Sequence, residues 1–264
     1  MQKNNFALVT GAASGIGRAY TLELAQSHAG VIVVDRNAEA LQALVEEVAA
    51  TGAQVVARRV DLTEEQAAGR LFAWTEQEGL EVGTLVCNAG ALLFGGFATL
   101  TPEQIERLLA LHCGVTAQLC RLFGAAMRAR KERGHILVMS SATAYMPYPS
   151  IVLYAATKSY LKCFAEALHD EWAADGVVVT VVCPGAVDTP FYRLDERMRR
   201  RLLFWRVMHG PQQIAHRALR ALWRGKKRIL PGFFTKLCVA LCRICPSALI
   251  RWTVRRKRIR RLLE

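Results

Sequence analysis

Phe6-Ala7-Leu8-Val9 runs straight into Thr10-Gly11-Ala12-Ala13-Ser14-Gly15-Ile16-Gly17, and an amphipathic stretch, Arg18 to Ser27, follows. An apolar run, a glycine turn and a helical pattern in that order predict strand, turn and helix. Such a turn aims backbone N–H groups and the positive end of a helix at an anion, typically a pyrophosphate. Gly11 permits the tight turn, Gly15 lets backbone approach the phosphates, and Gly17 lets helix and strand pack closely. A second apolar run, Val31 to Val34, ends in Asp35. An acidic residue about 20 positions beyond the glycines is where a carboxylate accepts hydrogen bonds from an adenosine ribose.

The pattern continues along the chain. Apolar runs at 6–10, 31–34, 54–60, 83–87, 135–140 and 177–183 alternate with helical patterns at 15–28, 37–51, 64–78, 102–131 and 152–174. Strands alternating with helices of this length imply an α/β fold, a doubly wound parallel sheet covered on both faces. Helix starts are signalled at Thr63-Glu64-Glu65-Gln66 and at Thr101-Pro102-Glu103. Ligands of such sheets sit at the carboxyl ends of the strands. Those ends carry Thr10-Gly11, Asp35, Asp61-Leu62, Asn88-Ala89-Gly90, Ser140-Ser141 and Pro184-Gly185.

Tyr154 and Lys158 are four residues apart on a helical stretch and share one face. A free tyrosine, with a pKa near ~10, stays protonated at neutral pH and so cannot act as a base there. A neighbouring ammonium and the positive end of the same helix both favour the phenolate. Ser141 ends the preceding strand and is placed to hydrogen-bond a substrate oxygen. Together the three form a proton-transfer unit facing a dinucleotide site.

With these residues in place, the chain resembles the short-chain dehydrogenase/reductase family over residues 4–190. The resemblance rests on T-G-x-x-x-G-x-G at 10–17, Asp61, N-A-G at 88–90, Ser141, Y-x-x-x-K at 154–158 and P-G-x-x-x-T at 184–189. It implies a Rossmann-type fold, a nicotinamide cofactor, and hydride transfer between that cofactor and an alcohol or carbonyl. Tyr154 would be the general acid/base, Lys158 would bind the nicotinamide ribose, and Ser141 would orient the substrate oxygen. Gly11, Ser14, Gly15, Ile16, Gly17, Asp35, Arg36, Asp61, Leu62, Asn88, Ala89, Gly90 and Pro184 would complete the cofactor site. Thr189 and the Val187 backbone would hold the carboxamide. The resemblance also implies a homodimer formed through the helices near 102–131 and 152–174. One departure stands out: where the family commonly has an Asn serving a proton relay, this chain has His112. A histidine can both donate and accept, so relay and structural roles are both open. Asp35 favours NAD, since a carboxylate repels a 2′-phosphate; Arg36 keeps NADP open. A nucleotide-binding sensor or scaffold with little turnover is the alternative to an enzyme.

The substrate is expected to be lipophilic. A lid at about 190–209 contains Phe191, Tyr192, Leu194, Leu202, Leu203, Phe204 and Trp205, with Leu92, Leu93, Phe94 and Phe97 as an opposite wall. Charge is split along the chain. Residues 193–264 hold 21 Lys and Arg against Asp195, Glu196 and Glu264, a charge of +18. The whole chain carries +13, which leaves −5 for residues 1–192. The cofactor domain is assigned to 1–225, and 226–264 is read as a basic amphipathic extension. Phe233 to Trp252 is interrupted by Lys236, Arg243, Pro246 and Arg251, too often to span a bilayer but suited to lie in its interface. Attachment to an anionic membrane surface and packing on the domain or a dimer mate are both open; the many Leu, Ile, Val and Cys residues argue against nucleic acid. The eight cysteines read as buried hydrophobes of a reducing compartment, with no metal site. No signal peptide opens the sequence, and the expected location is cytoplasmic, with peripheral membrane contact open.

Overall fold

The computed structural model describes residues 5–146, 148–189, 200–201, 203, 205 and 207–244. Six strands follow the apolar runs: β1 (Phe6–Thr10), β2 (Gly30–Asp35), β3 (Gln54–Arg59), β4 (Val82–Cys87), β5 (Gly134–Met139) and β6 (Val177–Val182). Short strands β7 (Ala186–Val187) and β8 (Met208–His209) pair with each other, and β9 (Arg228–Ile229) joins the main sheet. The sheet order is β3-β2-β1-β4-β5-β6-β9, all parallel. β1 and β4 are buried along their whole length, which is why their sequences are continuously apolar rather than alternating.

Helices cover both faces: α1 (Gly15–Leu24), α2 (Ala38–Ala49), α3 (Ala67–Gln77), α4 (Pro102–Leu109), α5 (Val115–Ala129), α6 (Val152–Trp172), α7 (Pro211–Trp223) and α8 (Phe233–Ile244). One core layer packs Leu71, Leu119, Phe123 and Leu161 of α3, α5 and α6 against Leu8, Leu85 and Ile136. The opposite layer packs Tyr20, Leu44 and Leu219 of α1, α2 and α7 against Val9, Val33 and Leu137. This is the Rossmann-type doubly wound architecture, with the reversal of strand order between β1 and β4 opening a crevice above the sheet. Pro102–Ala129 is long and apolar enough to cross a membrane by length and composition. Here its apolar residues Leu119, Cys120, Phe123 and Met127 are buried in the core.

Three expectations are corrected. The helix expected from 64 begins at Ala67, because Gln66 takes a left-handed conformation (φ 55°) and the preceding residues form a turn. The expected helix 102–131 contains a π turn, Ala110–Gly114, between α4 and α5. The sheet also runs past residue 225: β9 is its seventh strand, and Lys227 and Arg228 pair with Asp170 and Glu166 on α6. Two residues are too few to give a strand pattern in the sequence. The lid expected at 190–209 falls mostly outside the described residues, as does the extension beyond 244.

Candidate active site

The glycine turn is held open by contacts that only glycine allows. Gly11 has φ +61°, and a methyl carbon there would lie 2.9 Å from the Ala89 Cα. A methyl on Gly17 would lie 1.9 Å from the Gly11 carbonyl oxygen. Asn88 locks the turn from the neighbouring strand. Its side-chain amide donates to the Thr10 and Gly11 carbonyls at 3.0 and 3.1 Å. The Asn88 and Ala89 N–H groups donate to the Thr10 hydroxyl. α1 starts just beyond, and Ser14 at its N-cap makes no side-chain hydrogen bond to it. The first helical N–H groups are therefore available to an anion. A glycine cradle meeting an uncapped helix start is the form a pyrophosphate fits.

A cleft of about 410 Å³ extends from this cradle. Gly11, Ser14, Gly15, Ile16, Asp35, Arg36, Asp61, Leu62, Asn88, Ala89, Gly90 and Thr189 all line it. Thr189 closes the inner side, its methyl 3.0 Å from where a Cβ on Gly15 would sit. The Asp35 carboxylate accepts hydrogen bonds from the Ala13 and Asn37 N–H groups, both at 3.0 Å, which fixes it against the turn. Asp61 is heavily engaged within the fold. One oxygen accepts from the Thr63 N–H and hydroxyl, and the other from Arg107 at 2.8 Å. Burial alone would raise its pKa; these hydrogen bonds and the charges of Arg107 and Arg36 outweigh that and hold it below the usual carboxylate value.

Sequence reasoning missed one wall. Gln104, Arg107, Leu108 and Leu111 line the cleft from α4 and the π turn. Their spacing of three, four and seven residues is a helix-face stripe, so the signal was present in the sequence. Arg36, Asn37, Arg58, Arg59 and Arg70 line a second cavity that shares Arg36, Asn37, Val60 and Asp61 with the cleft.

Ser141, Tyr154, Lys158, Pro184 and Val187 are not among the residues that line this cleft. A methyl carbon on Gly90 would sit 3.7 Å from the Lys158 Nζ. Lys158 is buried, donates to the Met139 carbonyl at 2.9 Å, and lies 5.6 Å from the centre of the Tyr154 ring. Burial pushes its pKa down to about 8. The Ser140 hydroxyl donates to the Lys158 carbonyl at 2.6 Å, tying the end of β5 to α6. Ser141 follows, its Oγ accepting the Thr143 N–H. The Pro184 carbonyl accepts the Ala142 N–H, and Val187 pairs with His209. Ser141 and Lys158 are thus each tied to backbone.

His112 is fully buried in the π turn. Its Nε2 accepts the Ala91 N–H at 3.1 Å. Its Nδ1 lies 2.8 Å from the Thr157 hydroxyl, which itself donates to the Tyr154 carbonyl. That network assigns the proton to Nδ1 and leaves neither nitrogen free. Burial, then the Lys158 charge, pushes the His112 pKa down to about 2. The ring meets Tyr154 edge-on at 5.8 Å. It is a neutral brace between the Gly90 turn and α6.

The profile of the family described as short chain dehydrogenase matches residues 5–199. The chain belongs to the short-chain dehydrogenase family. Among curated relatives, 17-beta-hydroxysteroid dehydrogenase type 3 of Rattus norvegicus is 34% identical over 195 residues, covering 70% of this chain and 60% of that protein. The matched region thus spans about 60% of the length of such relatives. Of solved structures, an NAD(P)-dependent gluconate 5-dehydrogenase from Beutenbergia cavernae, with bound NADP, aligns at a TM-score of 0.76 and 25% identity. It covers 86% of this chain and 94% of its own. A 7beta-hydroxysteroid dehydrogenase structure aligns at a TM-score of 0.82 and 24% identity, covering 94% and 96%; it speaks for the fold. As a short-chain dehydrogenase, the chain differs from the motif pattern at His112.

Proposed function

We propose that this short-chain dehydrogenase moves hydride between a nicotinamide dinucleotide and the carbinol or carbonyl carbon of a lipophilic alcohol or ketone. The observation that carries the reading is the buried Lys158, one helical turn from Tyr154 and next to Gly90 in the wall of a glycine-cradled cleft. Bound there, the nicotinamide would supply the hydride acceptor or donor. In oxidation the Tyr154 phenolate would take the proton from the substrate oxygen while the carbinol carbon gives up its hydride; in reduction the neutral phenol would return a proton to that oxygen. Ser141 orients the substrate oxygen. The Lys158 charge favours the phenolate form of Tyr154. Gly11, Gly15 and the start of α1 hold the pyrophosphate, Asp35 and Arg36 the adenosine end, and Val187 and Thr189 the carboxamide.

NAD is the first choice, because the Asp35 carboxylate at the ribose position repels a 2′-phosphate. NADP is favoured by a different observation, the arginines Arg36, Arg58, Arg59 and Arg70 around the adjoining cavity. A lipophilic substrate is supported by Leu93, Leu108 and Leu111 in the cleft and by the steroid named in the 34% identical relative. The exposed Leu109 and Tyr160 lie on the helices through which a homodimer is proposed to form. A binder without turnover is the second reading. It rests on His112, whose nitrogens are both committed where the family keeps a relay residue.

The test is a panel of steroid, fatty and short-chain alcohols and ketones, followed at 340 nm with each cofactor. Tyr154→Phe should lower turnover on the best substrate by at least ~10²-fold with cofactor affinity retained. Near-normal turnover in that variant would remove Tyr154 from the chemistry. Cofactor binding with no turnover on any substrate would favour the sensor reading.

A further inference from the structure

Helix α8 faces the wrong way for a core element. Thr235 and Val239 are buried and seat it on the domain. Phe233 is 76% exposed, Phe234 39%, Leu237 42% and Leu241 53%. Phe233, Leu237 and Leu241 recur every four residues, so they form one continuous apolar stripe along the outside of the helix. The only charged residue on α8 before Arg243, Lys236, is also exposed.

The base of this helix is built into the active-site end of the sheet. A Cβ on Gly185, in the turn after β6, would lie 2.5 Å from the Thr235 hydroxyl. A Cβ on Gly232 would lie 2.6 Å from His209, the end of β8. α8 also contacts the Ala142–Tyr145 turn that follows Ser141. Val207, 40% exposed, directly precedes β8.

We propose that α8 is a docking surface for an anionic lipid bilayer, lying flat with its apolar stripe in the interface and the cleft opening beside it. Charge selects this occupant. Between Glu196 and Glu264 the sequence has no acidic residue, while Lys236, Arg243, Arg251, Arg255, Arg256, Lys257 and Arg258 are all basic. A second copy would bring together two C-terminal segments that are both basic, with no acidic residue between Glu196 and Glu264 in either to offset the charge. Lipid phosphates match the charge, and acyl chains match the stripe. A lipophilic substrate would then reach the site from the membrane without crossing water.

The experiment is co-sedimentation of the full chain with vesicles of phosphatidylcholine alone and with about a third phosphatidylglycerol; it needs no turnover, so it stands or falls apart from the proposed chemistry. The unaltered chain should pellet with the anionic vesicles at ~0.01 M salt. Binding should weaken toward ~0.15 M as the screening length falls from ~30 to ~8 Å. The triple variant Phe233→Ser, Leu237→Ser, Leu241→Ser removes exposed side chains only and should keep its thermal unfolding midpoint. Its vesicle affinity should fall by at least ~100-fold, since each buried apolar side chain is worth about tenfold or more. An unaltered chain that stays in the supernatant at low salt overturns the proposal. So does a triple variant that pellets equally well. Loss of a dimer in the triple variant by light scattering, without vesicle binding by the parent, would overturn it in favour of a second copy.

Discussion

Lys158→Met should make the protein more stable and nearly inactive. The ammonium is buried against the Met139 carbonyl, and its pKa falls from 10.5 to about 8. At 1.36 kcal/mol per unit, keeping that proton in the fold costs about 3 kcal/mol. Methionine fills a similar volume with no charge to desolvate. It gives up one hydrogen bond, worth about 1 kcal/mol. The net gain is about 2 kcal/mol, which corresponds to a rise of ~5 °C in the unfolding midpoint for a chain of this size.

The gain has a defined pH dependence. Below pH 8 lysine is protonated in both folded and unfolded chains, and the full penalty applies. Between about 8 and 10.5 the unfolded chain holds more protons, so the parent gains stability as pH rises and the gap closes. Above that window the lysine is neutral in both states, the penalty is gone, and the parent keeps the advantage of its hydrogen bond, about 1 kcal/mol. Scanning calorimetry of both proteins at pH 7, 9 and 10.5 reads this directly, and turnover of the variant should fall at least ~10²-fold. A variant no more stable than the parent at pH 7, or a gap that does not change across the window, would refute the claim that burial governs Lys158.

Two further outcomes follow from the site. Asp35→Ala should narrow the preference for NAD(H) over NADP(H) by about tenfold, or ~1.4 kcal/mol, in calorimetric titration; tighter NADP(H) binding by the unmutated chain would move the adenosine end to Arg36. His112→Leu orphans the Ala91 N–H, while the Thr157 hydroxyl keeps its bond to the Tyr154 carbonyl, and should cost ~1–3 kcal/mol in denaturant unfolding, whereas His112→Asn should retain most of the activity. Because His112 titrates at about 2 in the fold, the unfolded chain takes up protons first as pH drops below 6.5. The parent should therefore lose stability on acidification more steeply than His112→Asn, and its activity profile between pH 5 and 8 should show no histidine step. A step present in the parent and absent in the Asn variant would restore His112 as a relay.

The cradle was legible from the sequence because backbone geometry alone demands it. No other residue fits where Gly11 and Gly17 stand, and the apolar runs and helix stripes around them fix strand, turn and helix. Asp35, Asn88, Tyr154 and Lys158 were legible because each sits at a strand end or on a helix face that the pattern defines. What escaped the sequence depends on distant parts of the chain. The Asp61–Arg107 pair joins residues 46 positions apart, and the tautomer of His112 is set by Ala91 and Thr157. The left-handed Gln66 shifts a helix start that Thr63 and Glu64 otherwise signal. β9 is two residues long and exists because β6 offers an edge and α6 offers carboxylates. Exposure on α8 is a property of packing, so the same apolar spacing read equally well as a buried face.

The π turn at Ala110–Gly114 is a phase shift in an otherwise continuous shaft. α4 turns Gln104, Arg107 and Leu108 toward the cleft, while α5 turns Leu119 and Phe123 toward the sheet. One residue more than an α turn separates the two halves, rotating one against the other by about 100°. Losing any single residue between 110 and 114 would heal the helix, swing Arg107 away from Asp61 and turn the buried Leu108 out of its place. The length of this segment is thus held to the residue by the cleft and the core together.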